Sequence, residues 1–178
     1  MSALEDVRNL IPETARDLKL NLQTVLQPST LSESQRWGVA VASAVAARNP
    51  RLRDAIIADA RAAVAPAVVD DALAAAALMG MNNVWYPYIE MAGDDELKTQ
   101  RAELRMNAYA SSGGVEKKKF EAYALAASIV GKCHFCVASH YALLKKEGLT
   151  TQQLRDIGRI AAVVNAAAQV LAASEDLG

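Results

Sequence analysis

From Ala67 to Met79 the chain is long, apolar and alanine-rich, and nowhere in its 178 residues is there a convincing alternation of period two. Alanine is the strongest helix former and strands need that alternation, so the stretch predicts a central helix, packed closely against its neighbours and ending near Gly80. The fold class that follows is all-α. A composition of 52% hydrophobic and 22% charged residues supplies a sizeable core, in one domain or two small halves, and argues against disorder.

Helical spacing and stop signals divide the rest. Leu4 to about Leu26 carries apolar residues at helical spacing around Pro12, which a first turn tolerates, and Gln27-Pro28-Ser29-Thr30 reads as a linker. Ser32-Glu33-Ser34-Gln35 has the form of a capping box opening a helix through Trp37, Val41 and Val45, which Asn49-Pro50 ends. Pro50 suits the first turn of the next helix, through Leu52, Ile56 and Ile57 to about Val64. After the Gly93-Asp94-Asp95 turn a helix is expected from Glu96 to about Ala110, with Ser111-Ser112-Gly113-Gly114 as the most obvious loop. Phe120 to Val130 reads as a helix broken at Gly131, and a further one starts near Cys133 and stops at Gly148. Thr150 or Thr151 can cap a last helix through Leu154, Ile157, Ile160, Val163 and Leu171.

Sliding the chain against itself by about 85 residues sets Ser43 on Ser128, Val45 on Val130 and Asp71 on Asp156. On that register Arg48 and Arg51 stand where Cys133 and Cys136 stand in the second copy, so only one copy carries thiols. The expected organisation is one all-helical domain over 1–178, with an N-terminal segment at 1–30, a first half at 31–110 and a thiol-bearing half at 115–178.

Chemistry concentrates in Cys133-His134-Phe135-Cys136, with His140 four residues later and Glu121 twelve residues earlier. On a helix from Cys133 onward, Cys133, Cys136 and His140 fall within roughly a 60° arc of one face. A thiol attacks only as the thiolate, and an unperturbed cysteine with pKa about 8.5 is mostly protonated at neutral pH. The positive end of the helix and the imidazole of His140, one turn after Cys136, are the available aids, which makes Cys136 the expected nucleophile. Cys133 is placed to attack an oxidised Cys136 and close a disulfide. Glu121 needs the break near Gly131, because on one straight helix it would lie roughly 18 Å from Cys133.

Plainer readings compete. Two cysteines in an alanine-rich helical protein can serve packing alone, Glu121 taken singly is an ordinary solvated helix residue, and His134 is a surface or capping group. Zinc would accept Cys133, Cys136, His140 and Glu121 by type, but structural sites usually take four close Cys/His ligands and the chain has only two of each. No metal is therefore expected.

Nineteen basic residues balance twenty acidic ones, which removes the case for nucleic acid or an anionic membrane surface, and Lys117-Lys118-Lys119 reads as a solvated helix start. Met1 to Asp17 lacks the apolar core of a secretory signal, and no uninterrupted apolar run approaches a membrane span. Two cysteines then suit a reducing cytoplasm, where a disulfide is transient and catalytic. Trp85, Tyr86, Tyr88 and Ile89 are expected to be exposed, an unusual aromatic cluster for a monomer, and so to lie at or near an oligomer contact.

The Glu121, Cys133, Cys136 and His140 spacing resembles that of the alkyl hydroperoxide reductase D (AhpD) group within the carboxymuconolactone decarboxylase-like superfamily. Trp37-Gly38, Ala47-Arg48-Asn49-Pro50, Met79-Gly80-Met81-Asn82-Asn83-Val84 and Leu104-Arg105-Met106-Asn107 are similar to segments of the same family, so the resemblance covers most of the chain. It implies a helical homotrimer that acts as a lipoyl-dependent peroxidase on organic hydroperoxides and hydrogen peroxide and as reductant of a peroxiredoxin of the alkyl hydroperoxide reductase C type. Cys136 would become the sulfenic acid. Cys133 would supply a proton and then form the disulfide, with Glu121 and His140 in the proton relay. No cofactor would be tightly bound; dihydrolipoamide, carried by a 2-oxoacid dehydrogenase acyltransferase, would be the reducing co-substrate. Family members often place a histidine directly before the second cysteine, where this chain has Phe135, and His134 sits about 100° away around the helix. A general disulfide reductase and a non-enzymatic oligomeric scaffold remain as alternatives, while the decarboxylation that names the superfamily leaves the thiol pair unexplained.

Overall fold

Pro12 divides the N-terminal segment. In the computed structural model, which describes residues 2–110 and 116–175, helix α1 (Ala3–Asn9) stops before it, a 3-10 turn (Glu13–Ala15) follows and α2 (Arg16–Val25) runs on. A proline has no N–H to return to the preceding turn and pushes its predecessor out of helical geometry, which ends the first helix.

The expected capping box is present: Ser32 Oγ accepts from the Gln35 N–H, and the Gln35 side chain accepts from the Ser32 N–H, opening α3 (Glu33–Ala47). The helix ends on Arg48 in the left-handed region (φ 62°). Asn49 then accepts from the Leu52 N–H to cap α4 (Pro50–Ala63), with Pro50 in its first turn. All α-helices follow the sequence in kind, and no strand occurs among the described residues.

Two boundaries differ from expectation. Helix α5 (Pro66–Ala92) does not end near Gly80 but continues through it and through Pro87 to Gly93. Gly80 lies on the exposed side with open space around it, so it costs only its intrinsic helix penalty, roughly 1 kcal/mol, which burial of Met79 and Asn82 offsets. In place of one helix from Glu96 to Ala110 there are two short ones, α6 (Asp95–Thr99) and α7 (Asn107–Ala110), separated by irregular chain. Arg101, Glu103, Leu104 and Arg105 are all exposed, so no apolar face repays the ordering of a longer helix. The loop expected at Ser111 to Gly114 lies outside the described residues.

Helix α8 (Lys117–Gly131) ends on Lys132, also left-handed (φ 56°), and Cys133 caps α9 (His134–Lys146). Thr150 and Gln153 form a reciprocal cap at the start of α10 (Thr151–Glu175). The unit α3-α4-α5 thus recurs as α8-α9-α10 about 85 residues later, the relation read from the sequence. The caps refine its register. Arg48 corresponds to Lys132, and Asn49 with Leu52, rather than Arg48 with Arg51, corresponds to Cys133 with Cys136.

Helices α3, α5, α8 and α10 form the core, with α9 seated on α8 and α5. Alanines at 40, 42 and 44 on α3 and at 122, 124, 126 and 127 on α8 are at most 1% exposed, which is how these helices come together. Gly38 marks the tightest approach: a Cβ there would overlap the ring of buried Tyr123, whose hydroxyl donates to the Ser34 carbonyl at 3.0 Å. Burial first, and then the nearby Asp71 charge, push the Tyr123 phenol far above its ordinary value, so it stays a donor. Asp156 ties the linker to α10 by accepting from the Thr30 hydroxyl at 2.8 Å and from Arg155 and Arg159. Burial opposes its ionisation, yet these three donors hold its carboxyl below the usual range.

By length and composition Thr151–Ser174 is apolar enough to cross a membrane, which the sequence runs did not suggest because Arg155, Asp156 and Arg159 interrupt them. Its Leu154, Ile157, Ile160, Val164 and Leu171 are buried, and the helix packs against α2, α3 and α8. Of the aromatic segment expected at the surface, only Tyr88 is exposed; Trp85, Tyr86 and Ile89 are half-buried, while Val84, Met91 and Phe135 are the more open neighbours.

Candidate active site

Cys133 is set by backbone geometry before any chemistry. The left-handed Lys132 turns the chain out of α8, the Cys133 N–H donates to the Ser128 carbonyl at 3.3 Å, and Cys133 takes the extended conformation of a helix cap. Its Sγ accepts from the Cys136 N–H at 3.2 Å, the same bond Asn49 makes to Leu52 in the first half. Cys133 and Cys136 are joined in a disulfide with Cα atoms 5.3 Å apart, and both are nearly closed to solvent, at 0% and 3% exposure. On reduction the two sulfurs would face opposite partners. Cys133 Sγ meets an N–H donor at a helix start, which favours thiolate, whereas Cys136 Sγ lies 3.8 Å from the Asn82 carbonyl, an acceptor for S–H.

The turn after Gly131 folds α9 back onto α8 and returns Glu121 to this region. Its Oε2 lies 2.7 Å from His140 Nδ1. At 1% exposure Glu121 is a core residue and not the solvated helix residue it resembles in isolation. The other imidazole nitrogen, Nε2, lies 3.3 Å from Met79 Sδ, and no hydrogen bond joins His140 to either sulfur of the disulfide among the described residues. The four residues singled out from the sequence therefore form two bonded pairs, Cys133 with Cys136 and Glu121 with His140, carried by adjoining stretches of α8 and α9. His134 is exposed in the first turn of α9. Phe135 is 54% exposed, and its ring stacks on Tyr86 at 4.5 Å between centroids.

Helix α5 supplies a wall that sequence reasoning did not assign. Met79 touches His140, the Asn82 carbonyl approaches Cys136, Asn83 donates to the Ala127 carbonyl at 3.1 Å and Tyr86 carries Phe135. Gly131 is required by the same approach, since a Cβ there would overlap the Asn83 side chain. Positions 79, 82, 83 and 86 are spaced i, i+3, i+4, i+7, the signature of one helix face. That signal was legible, and a helix ended at Gly80 conceals it.

Residues 95–175, which hold the thiol site, match the Carboxymuconolactone decarboxylase family. A protein of Anaeromyxobacter dehalogenans strain 2CP-C named alkyl hydroperoxide reductase AhpD is 54% identical over 96% of this chain and 91% of its own length. Proteins of the same name from Maricaulis maris and Brucella suis are 43% and 36% identical, covering 96% and 97% of the chain and 98% of their own lengths in each case. Similarity of this extent across both halves leaves one assignment: the chain belongs to the AhpD family of carboxymuconolactone decarboxylase-like proteins.

Proposed function

We propose that the protein is a thiol peroxidase and alkyl hydroperoxide reductase whose redox centre is the Cys133–Cys136 pair. The observation that carries this is a closed disulfide on the same two helices as a buried carboxylate hydrogen-bonded to a part-buried imidazole. In the first step the Cys136 thiolate attacks the peroxide, breaking the O–O bond, giving sulfenic acid on Cys136 and releasing the alcohol once a proton is supplied. Cys133 then displaces hydroxide from that sulfur, which leaves as water after protonation, and the disulfide closes. Two electrons and two protons from dihydrolipoamide, borne on a 2-oxoacid dehydrogenase acyltransferase, restore the dithiol. The reduced pair also passes electrons to an alkyl hydroperoxide reductase C type peroxiredoxin in the cytoplasm. Supporting the role of Cys136 are its residual exposure, against none for Cys133, and its place on α9 one turn before His140. Glu121 and His140 supply and collect the protons.

The test is peroxide consumption with dihydrolipoamide as sole reductant. Turnover with cumene hydroperoxide and hydrogen peroxide is expected; absence of any peroxide loss from a fully reduced enzyme would sink the peroxidase reading. One observation favours a second reading, a general disulfide reductase: the amide donor at Cys133 Sγ suits Cys133 as the thiolate that attacks a partner disulfide. In that case dihydrolipoamide oxidation would proceed with a disulfide acceptor but not with peroxide.

Assembly as a homotrimer is part of the same proposal. Exposed Val84, Tyr88 and Met91 share one face of α5, and apolar and aromatic surface of this kind is favoured in buried contacts. Light scattering is expected to return three times the 19.0 kDa of one chain. A monomer at micromolar concentration would end the idea.

A further inference from the structure

We propose that Met79 is a positioning residue that decides which nitrogen of His140 bears the proton: its thioether sulfur accepts the Nε2–H, leaving Nδ1 to share a proton with Glu121. A thioether has lone pairs and no hydrogen, so it can only accept. With Sδ 3.3 Å from Nε2, an unprotonated Nε2 would set lone pair against lone pair, while Nε2–H makes a weak but real hydrogen bond. On the other side, Nδ1 and Oε2 are 2.7 Å apart and must have a proton between them, whether drawn on the imidazole or on the carboxyl. With Met79 accepting Nε2–H, the first is an imidazolium–carboxylate pair and the second a neutral imidazole beside a carboxylic acid, each holding two protons. The form that Met79 disfavours is the neutral imidazole with Nδ1–H and a bare Nε2, the one an isolated histidine–carboxylate pair usually adopts.

Burial fixes the arrangement. Met79 is 2% exposed and Glu121 is 1% exposed, so water does not replace either partner, and Met79 is held by the face of α5 that also carries Asn82, Asn83 and Tyr86. A leucine would fill this space as well as methionine does, so packing alone does not require sulfur there. The consequence for the reaction rests on the function proposed above. The mobile proton of the relay then lies in the Nδ1–Oε2 bond.

The test reads the tautomer directly and uses no peroxide or lipoyl reductant, so it stands or falls separately from the peroxidase activity. Histidine-labelled 15N protein in the disulfide form contains only two imidazoles, and His134→Gln identifies the His140 signals. Nε2 of His140 is expected to show a protonated-type shift at neutral pH. Met79→Leu, which keeps the bulk and removes the acceptor, is expected to move a measurable fraction of His140 to the bare-Nε2 form. A bare Nε2 in the native protein overturns the proposal even if the variant does not fold. So does a folded Met79→Leu protein whose His140 shifts equal the native ones.

Discussion

Cys136→Ser is expected to abolish peroxide reduction outright, whereas Cys133→Ser should leave an enzyme that is oxidised once and cannot close its disulfide. The expectation follows from the division of roles between the sulfur that attacks peroxide and the sulfur that resolves the sulfenic acid. After one equivalent of peroxide, mass spectrometry should find one added oxygen on Cys136 in the Cys133→Ser protein. The opposite pattern, with rapid oxidation of Cys133 in the Cys136→Ser protein, would reverse the assignment. It has a physical basis in the structure, since the Cys136 N–H points at Cys133 Sγ and the Asn82 carbonyl faces Cys136 Sγ. Both serine variants retain the cap: in Cys133→Ser the hydroxyl accepts the same amide hydrogen bond, and in Cys136→Ser the acceptor is still Cys133, so both are expected to stay folded.

Glu121→Gln and His140→Gln are each expected to lower peroxidase activity by at least about tenfold, within the roughly 10²–10⁴-fold that acid–base assistance supplies. Each should also shift the pH dependence of iodoacetamide alkylation to higher pH. Burial makes the choice of substitution matter. Glu121 is closed to solvent and bonded to His140, so glutamine, which keeps the shape and an acceptor oxygen, should stay folded, while truncation to alanine would leave the part-buried imidazole without its partner. His134→Gln is the internal control and should change the rate far less, because His134 is exposed in the first turn of α9. A His134 effect as large as that of His140 would mean that the relay runs through the imidazole between the two cysteines and not through Glu121.

The repeat shows how the site relates to its scaffold. Asn49 and Cys133 occupy the same capping position after a left-handed residue, and each accepts the amide hydrogen three residues on. A thiol at a capping position is already aimed at a helix start, so redox chemistry needed only a second cysteine in the first turn and a carboxylate–imidazole pair nearby. In the first half Leu52 and Ile56, both fully buried, fill the places of Cys136 and His140, and that half keeps the packing without the chemistry.

The sequence by itself determined what depends on near neighbours. Alanine-rich helical periodicity fixed the fold class, Ser32 with Gln35 and Asn49 with Pro50 fixed helix starts, and Cys133, Cys136 and His140 could be set on one face because the spacing of residues within a turn is a local property. Only the tertiary structure decided the rest. Glu121 was named from spacing and resemblance, but its burial and its bond to His140 depend on α8 and α9 folding together after Lys132. The length of α5 beyond Gly80 depends on burial against other helices, which outweighs a glycine's local preference, and so Met79, Asn82, Asn83 and Tyr86 came to the site unassigned. The helix expected over Glu96 to Ala110 failed for the converse reason: its spacing was adequate, but Arg101, Glu103, Leu104 and Arg105 in its middle are exposed. Local pattern sets which conformations are open to a segment, and the apolar surface it can bury against distant parts of the chain sets which of them is kept.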